Sequence, residues 1–346
     1  MTNITYKCPA CGGALRYNPK NGKFSCDYCG NSYDNVEEVL SAHEIKTEDS
    51  NQGAESESTL YTCPSCGAEL VTSSTTAATE CYYCHNPVVL TGRLSAEFRP
   101  DSVLPFTVDK ETAKAELAKW IKKHRYVPED FKSEKNLDSI TGVYYPYWLA
   151  DYDAFASFEG EGTRVITTTT PTHIITRRQY FRVIRRGKIK FKNLERPALG
   201  KADRKLADGV HPYRYDGLRQ FEEKFLAGFM AEKRDVEKSD VSESFESECK
   251  GYVRELLTRG CRYSSLSGHT NVNFTNSDYR YTLLPAWIMT YRHKGKSDKV
   301  YYYAMNGQTK AVCGILPIDK KKLFAHSAII FGVVAALLLL GGYFIW

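Results

Sequence analysis

The last 20 residues, Ser327 to Trp346 (SAIIFGVVAALLLLGGYFIW), carry no charge. Helical rise makes such a run about 30 Å long, the thickness of a bilayer's hydrocarbon core. Lys320, Lys321 and Lys322 stand just before it, and Tyr343 and Trp346 close it. Lysines on one flank and interfacial aromatics on the other are the marks of an oriented span. Gly332, Gly341 and Gly342 would weaken a soluble helix, but glycine is common in spanning ones. A buried core helix is the competing reading, and length, lysine flank and terminal position weigh against it. Residues 323–346 are therefore expected to form a single C-terminal transmembrane anchor of a cell-membrane protein. The N-terminus and body are then expected on the lysine side, the cytoplasm.

Met1 to Tyr17 holds no apolar run, so no signal peptide is expected. The inferred compartment is reducing, which turns cysteines toward metal binding and away from disulfides. Of 11 cysteines, eight fall in four C-x-x-C pairs. Cys8, Cys11, Cys26 and Cys29 make one module, and Cys63, Cys66, Cys81 and Cys84 make a second with the same 14-residue gap. Two such turns joined by a hairpin bring four thiolates around one tetrahedral zinc. Gly12, Gly30 and Gly67 follow the second cysteine of their turns, Asn21-Gly22 supplies a hairpin turn, and Leu15/Leu70 and Tyr28/Tyr83 occupy matching places. The expectation is two zinc ribbons, over 1–35 and 60–92, holding two Zn²⁺ per chain that supply folding energy these small cores lack. Cys81-Tyr-Tyr-Cys84-His85 also matches a c-type haem attachment pattern, but haem is attached outside the cytoplasm and this pair already has ribbon partners. A thioredoxin-like site lacks its βαβ context, and His85 reads as a surface residue. Between the ribbons, 36–59 is strongly acidic and reads as a short helix followed by a flexible linker.

Residues 98–317 alternate helical and extended patterns and are expected to form one α+β body. Glu111 to His124 reads as an amphipathic helix, Leu218 to Glu232 as a second and Ser242 to Thr258 as a third. Val143 to Phe158 reads as a strand ended by Gly160 and Gly162. Leu283 to His293 and Lys299 to Met305 read as paired strands, followed by an Asn306-Gly307 turn into Ala311 to Ile315. PYWLADY at 146–152 is echoed by PAWIMTY at 285–291. PFTVD at 105–109 and PYRYD at 212–216 each precede an expected helix, which suggests a duplicated unit with its tryptophans in the core.

Arg177 to Lys192 carries eight Arg/Lys and no acid. Lys188, Lys190 and Lys192 alternate with Ile189 and Phe191, giving one basic and one apolar strand face, and Arg185-Arg186-Gly187-Lys188 reads as a hairpin turn. A solvated face is the default, and membrane lipid or nucleic acid is the functional alternative. No P-loop, G-x-G-x-x-G, H-E-x-x-H or nucleophile elbow is present, so no catalytic residues and no organic cofactor are expected. The histidines are scattered without an evident acid partner. Cys249, Cys261 and Cys313 read as core thiols.

Paired CPxC ribbons, then GVYYPYWLADYD, LAGFMAE, LLPAWIMTYRHKGK, YYYAMNGQT and a terminal anchor resemble a family of bacterial membrane-anchored zinc-ribbon proteins, often labelled transcription-factor-B-type. The resemblance implies recruitment of SPFH (flotillin-like) or phage-shock-protein-A-like partners to the membrane under envelope stress. Lys310 departs from the glycine the family pattern leads one to expect. The function expected is a non-enzymatic adaptor. The rival is a membrane-tethered nucleic-acid-binding protein, for which the second module, with no Lys or Arg between Leu60 and Leu90, is poorly charged.

Overall fold

The computed structural model describes residues 2–18, 21–34, 45–46, 58–63, 69–81, 86–94, 98–200, 207, 209–292 and 300–345. The N-terminal third holds β1 (Thr2–Ile4), β2 (Leu15–Asn18), β3 (Lys23–Cys26), β4 (Ser32–Tyr33), β5 (Ile45–Lys46), β6 (Ser58–Thr62), β7 (Glu69–Ser73), β8 (Thr76–Glu80) and β9 (Pro87–Leu90). The body follows as β10 (Ser102–Val103), α1 (Lys110–Lys122), α2 (Glu134–Asp138), β11 (Thr141–Thr169), β12 (Ile174–Pro197), β13 (Arg219–Gln220) and β14 (Met230–Glu232). It ends with α3 (Lys238–Thr258), β15 (Ser265–Arg292), β16 (Val300–Asn306), β17 (Val312–Gly314) and α4 (Lys320–Ile345). The class is α+β, dominated by strands.

β11 and β15 form the spine. They pair antiparallel from Thr141↔Ile288 to Thr163↔Ser265, and β12 lies on the other edge of β11 from Tyr147↔Pro197 to Thr169↔Ile174. At about 3.3 Å per residue, β11 alone traces about 95 Å, so its upper half stands out as an arm while its lower half is built into the body. Helix α3 covers one face of the arm. Its buried residues Val241, Phe245, Cys249 and Val253 recur every four positions, the spacing that keeps one stripe of a helix against a sheet. Each such side chain is worth roughly 1.5–3 kcal/mol of burial. Helix α1 buries Ala113, Leu117 and Ile121 on the lower body, and Asp109 caps it by accepting from Thr112 N at 3.0 Å.

The duplication has a physical core. Trp287 of β15 donates its indole N–H to Val108 O at 3.0 Å, one residue before the α1 cap Asp109. Trp148 of β11 donates to Val236 O at 2.9 Å, one residue before the α3 cap Glu237. Three residues ahead of each cap the pattern repeats: Phe106 N donates to Tyr144 Oη at 3.3 Å and Arg234 N to Tyr281 Oη at 3.2 Å. Each tryptophan thus pins the start of the other unit's helix. The chemistry diverges at one position, where the Phe106 ring meets Trp287 at 5.1 Å while the Arg234 guanidinium lies over Trp148 at 5.3 Å. The second counterpart of PFTVD is therefore the Arg234–Glu237 stretch, not Pro212–Asp216.

Three expectations for the body are corrected. Leu218 to Glu232 is no helix: it holds β13, a 3₁₀ turn at Glu223–Leu226 and β14. Gly228, at φ +87°, breaks the segment so that Phe225 and Phe229 point into separate contacts. Gly160 and Gly162 do not end β11. Gly160 faces Gly268 across the ladder, where an added Cβ would run into the Ser267 carbonyl, and Gly162 lies under the Tyr263 ring. Here glycine marks close approach, not termination. Nor is there a turn at Arg185–Lys188: Gly187 pairs with Ala156 inside an unbroken strand, and the hairpin closes at Thr170–His173. Strand β15 pairs with β16 as expected, but β15 begins at Ser265 and not Leu283, and β11 runs on to Thr169. His293 and Lys299 lie outside the described residues. Helices α1 and α3 and the Asn306 turn into β17 stand where the sequence placed them. That turn tolerates Lys310 in the left-handed region at φ +64°, because Asn306 Oδ1 accepts from both Gln308 N and Thr309 N at 2.8 Å.

Helix α4 begins at the three lysines and is long and apolar enough to cross a membrane, with none of that stretch buried. Its root is fastened to the body: Asp319 N donates to Tyr126 O at 2.7 Å and Lys322 Nζ meets Glu129 at 2.5 Å.

Candidate metal centre

The first module folds as the three-stranded sheet β2–β3–β4 around Leu15, Phe24 and Tyr6. Its two C-x-x-C turns close alike. Cys8 N donates to Gly13 O at 2.7 Å and Cys26 N to Asn31 O at 2.9 Å, while Gly12 and Gly30 sit at φ +72° and +75°. The left-handed glycine lets the chain curl back under the sulfurs. The result places the Sγ atoms of Cys8, Cys11, Cys26 and Cys29 within 4.8 Å of one another. Cys8 and Cys29 are 3.6 Å apart and Cys11 and Cys26 3.5 Å. A tetrahedron with metal–sulfur bonds of about 2.3 Å has edges of about 3.8 Å, so the four sulfurs are close enough to bind one metal ion.

The electrostatics fit a cation. The Tyr33 hydroxyl, 3.4 Å from Cys8 Sγ, and nearby backbone amides lower the Cys8 thiol to about 6. Cys11 is pushed up to about 12: the Gly13 amide works against the rise, but desolvation and the Cys26, Cys29 and Cys8 sulfurs drive it. One thiolate in this cage makes the next costly, and a bound cation removes that repulsion.

The second module is described in part. Cys66, Cys84, Gly67, Tyr83 and His85 lie outside the described residues, as does most of the linker at 36–59 apart from β5 and the start of β6. Cys63 and Cys81 are buried in one cluster with Tyr61, Val88 and Leu90. Cys81 N donates to Asn86 O at 2.9 Å, the same closure five residues on that both turns of the first module make. Tyr61 and Tyr6, each two residues before a leading cysteine, are both buried. That match is present in the sequence and is one more position of the repeat.

Neither module hangs free of the body. Strand β14 joins β11 to β8, which continues through β9 and β1 to β5 in one large sheet. Tyr17 N donates to Ala227 O at 2.9 Å, its ring meets Phe225 edge-on at 5.7 Å, and Arg16 bridges Asp27 at 2.9 Å and Glu80 at 2.5 Å. Gly228 is required there, since an added Cβ would stand 3.0 Å from Arg16 Cβ.

Elsewhere, Cys249 is buried, and burial pushes its thiol up to about 11. Cys313 is half-buried and packs against the cluster of Leu104, Val210 and Leu284, while Cys261 is half-buried outside the core clusters. One acid partner had no signal in the sequence: His211 Nδ1 stands 2.6 Å from Glu195 Oε1, between the Tyr147 and Tyr213 rings. Beside it is a cavity of about 230 Å³ lined by Tyr145, Tyr147, Leu199, Val210, Ile288 and Tyr302 among others. Of the basic stretch, Arg186, Lys190 and Lys192 are engaged by Glu159, Asp153 and Asp151.

No family model and no solved structure matches the chain. Over 353 residues it is 32% identical to a protein of Bacillus subtilis (strain 168) described as "Uncharacterized protein YdjG", with 99% of each chain covered. The chain belongs to the same family as YdjG.

Proposed function

We propose that the chain is a membrane-anchored adaptor without catalytic activity, holding partner proteins at the inner face of the cell membrane during envelope stress. The observation that carries this reading is the rooted apolar helix: α4 exposes Phe331, Leu337, Leu338 and Leu339 yet is tied to the body through Asp319 and Lys322. Whatever takes up α4 therefore has the body beside it. The lysines at its start favour the cytoplasm for the body. Zinc suits an all-thiolate tetrahedron in a reducing compartment, and the repeated turn closure at Cys81 supports a second ion held by Cys63, Cys66, Cys81 and Cys84. The zinc ribbons then stiffen the edge of the sheet, and the partner expected from the family resemblance is an SPFH- or phage-shock-protein-A-like protein. The test is to co-express such a partner, fluorescently tagged, with the full chain or with a chain lacking residues 327–346. The partner should move to the membrane with the first and stay dispersed with the second. Equal distribution in both would remove the adaptor reading.

A further inference from the structure

The far end of the arm differs from its stalk. The third strand stops at Ser265; just before it, Ser264 N donates to Thr163 O at 2.7 Å and Ser264 Oγ accepts from Val165 N at 3.0 Å. Beyond that point β11 and β12 run on alone, Arg164–Thr169 against Ile174–Gln179. The turn is tightly closed: Thr170 N donates to His173 O at 2.8 Å, and Thr170 Oγ1 accepts from His173 N at 3.0 Å. Every residue from Arg164 to Arg178 is exposed. A bare two-stranded ribbon has no core of its own. Apart from Arg164, whose guanidinium lies 5.3 Å over the Phe181 ring, its side chains point to solvent and are open to a partner.

Their chemistry is of one sign. From Gly162 to Leu194 the chain holds no Asp or Glu. The stalk cations Arg186, Lys190 and Lys192 have carboxylates at 2.7, 3.5 and 3.2 Å. Arg164, Arg177, Arg178 and Arg182, at the ribbon and its base, form no ion pair among the described residues. Between them stand threonines and the exposed Ile174 and Ile175, at 72% and 57%. About 80 Å of strand separates Val165 from Thr141, beside the end of the sheet where Tyr291 packs on Phe131. A charged surface is felt over only about 8 Å, which weakens the case for the anchoring membrane as the ribbon's counter-charge.

Shape narrows the polyanion. Two strands about 4.8 Å apart with side chains fit the B-DNA major groove, about 12 Å wide, which admits a β-ribbon. The deep, narrow major groove of A-form RNA does not. Arginines on both strands can reach phosphates or guanine edges, and threonine and isoleucine methyls can meet thymine methyls. We propose that the ribbon Arg164–Gln179 is a duplex-DNA-binding element that enters the major groove. This role is independent of the adaptor reading.

The test uses the full chain in neutral-lipid nanodiscs and a fluorescent 20-base-pair DNA duplex. With about four phosphates engaged, affinity should fall on the order of a hundredfold between 50 and 200 mM salt. The triple variant R164Q/R177Q/R178Q should bind at least tenfold more weakly with an unchanged circular dichroism spectrum, whereas K188Q/K190Q/K192Q should lose far less. Failure to bind the duplex at 50 mM salt, equal binding by the tip variant, or preference for the matching RNA duplex or for anionic vesicles would each overturn the proposal.

Discussion

The two tryptophan clamps should be energetically equivalent. Trp148→Phe and Trp287→Phe each keep an aromatic ring in place and delete one indole N–H. That leaves Val236 O or Val108 O without its donor, in positions where both tryptophans are almost fully buried, at 7% and 4% exposed. A buried acceptor stripped of its partner costs about 1–3 kcal/mol, and the smaller ring adds a packing loss. Each variant should therefore lose about 2–3 kcal/mol. For a body of this size, about 2–4 °C per kcal/mol gives a fall in Tm of roughly 5–10 °C. Trp148 stands opposite Tyr281 and Trp287 opposite Gly142, about 20 Å apart along the strands, so the double variant should show the sum of the two effects. Thermal unfolding of the full chain in detergent, followed by circular dichroism, measures all three. If either single variant melts within a degree or two of the parent, or the double falls far from the sum, the crossed-clamp account of the duplication is wrong.

Removing metal should loosen the N-terminal modules. Cys8→Ser or Cys26→Ser should remove one equivalent of bound metal by elemental analysis and open residues 1–34 to protease, with the arm intact; unchanged metal content would refute the assignment. On the acid side, burial opposes the shift at Asp151, but the Asn193 amide, Lys192 and Arg280 outweigh it and hold the carboxyl below its usual range. A folded value below the unfolded one gives stability that is complete above about pH 3.9 and lost as pH falls through the folded value. Asp151→Asn should flatten that acid limb in a series of Tm against pH; an unchanged slope would count against it. Gly160→Ala should cost about 1–3 kcal/mol by forcing the arm strands apart at Gly268. Hydrogen exchange should then rise along residues 154–186 and not in β16; uniform exchange would show that the arm is not a separate unit.

Local chemistry carried much of this protein. The cysteine cage at Cys8, Cys11, Cys26 and Cys29 was legible because metal ligation needs fixed spacing and a left-handed glycine, and both are written in adjacent residues. Helices α1 and α3 and the apolar α4 followed from periodicity and length, which depend on side chains within a few turns of one another. The errors came where one residue type serves two purposes. Gly160, Gly162 and Gly187 read as stops or turns, but a glycine that permits close strand approach looks the same in sequence as one that bends the chain. Which it does depends on the partner strand, more than 100 residues away at Gly268 in the first case. Phe225 and Phe229 kept helical spacing, yet they pack on Tyr17 and Phe106 in different parts of the molecule, and those contacts outweigh a weak propensity. The crossed tryptophan bonds, the joining of the cysteine modules to the body's sheet, the His211–Glu195 pair and the bare ribbon at the end of the arm were decided by tertiary structure alone. Each is set by which distant strand lies alongside, and no local pattern encodes that.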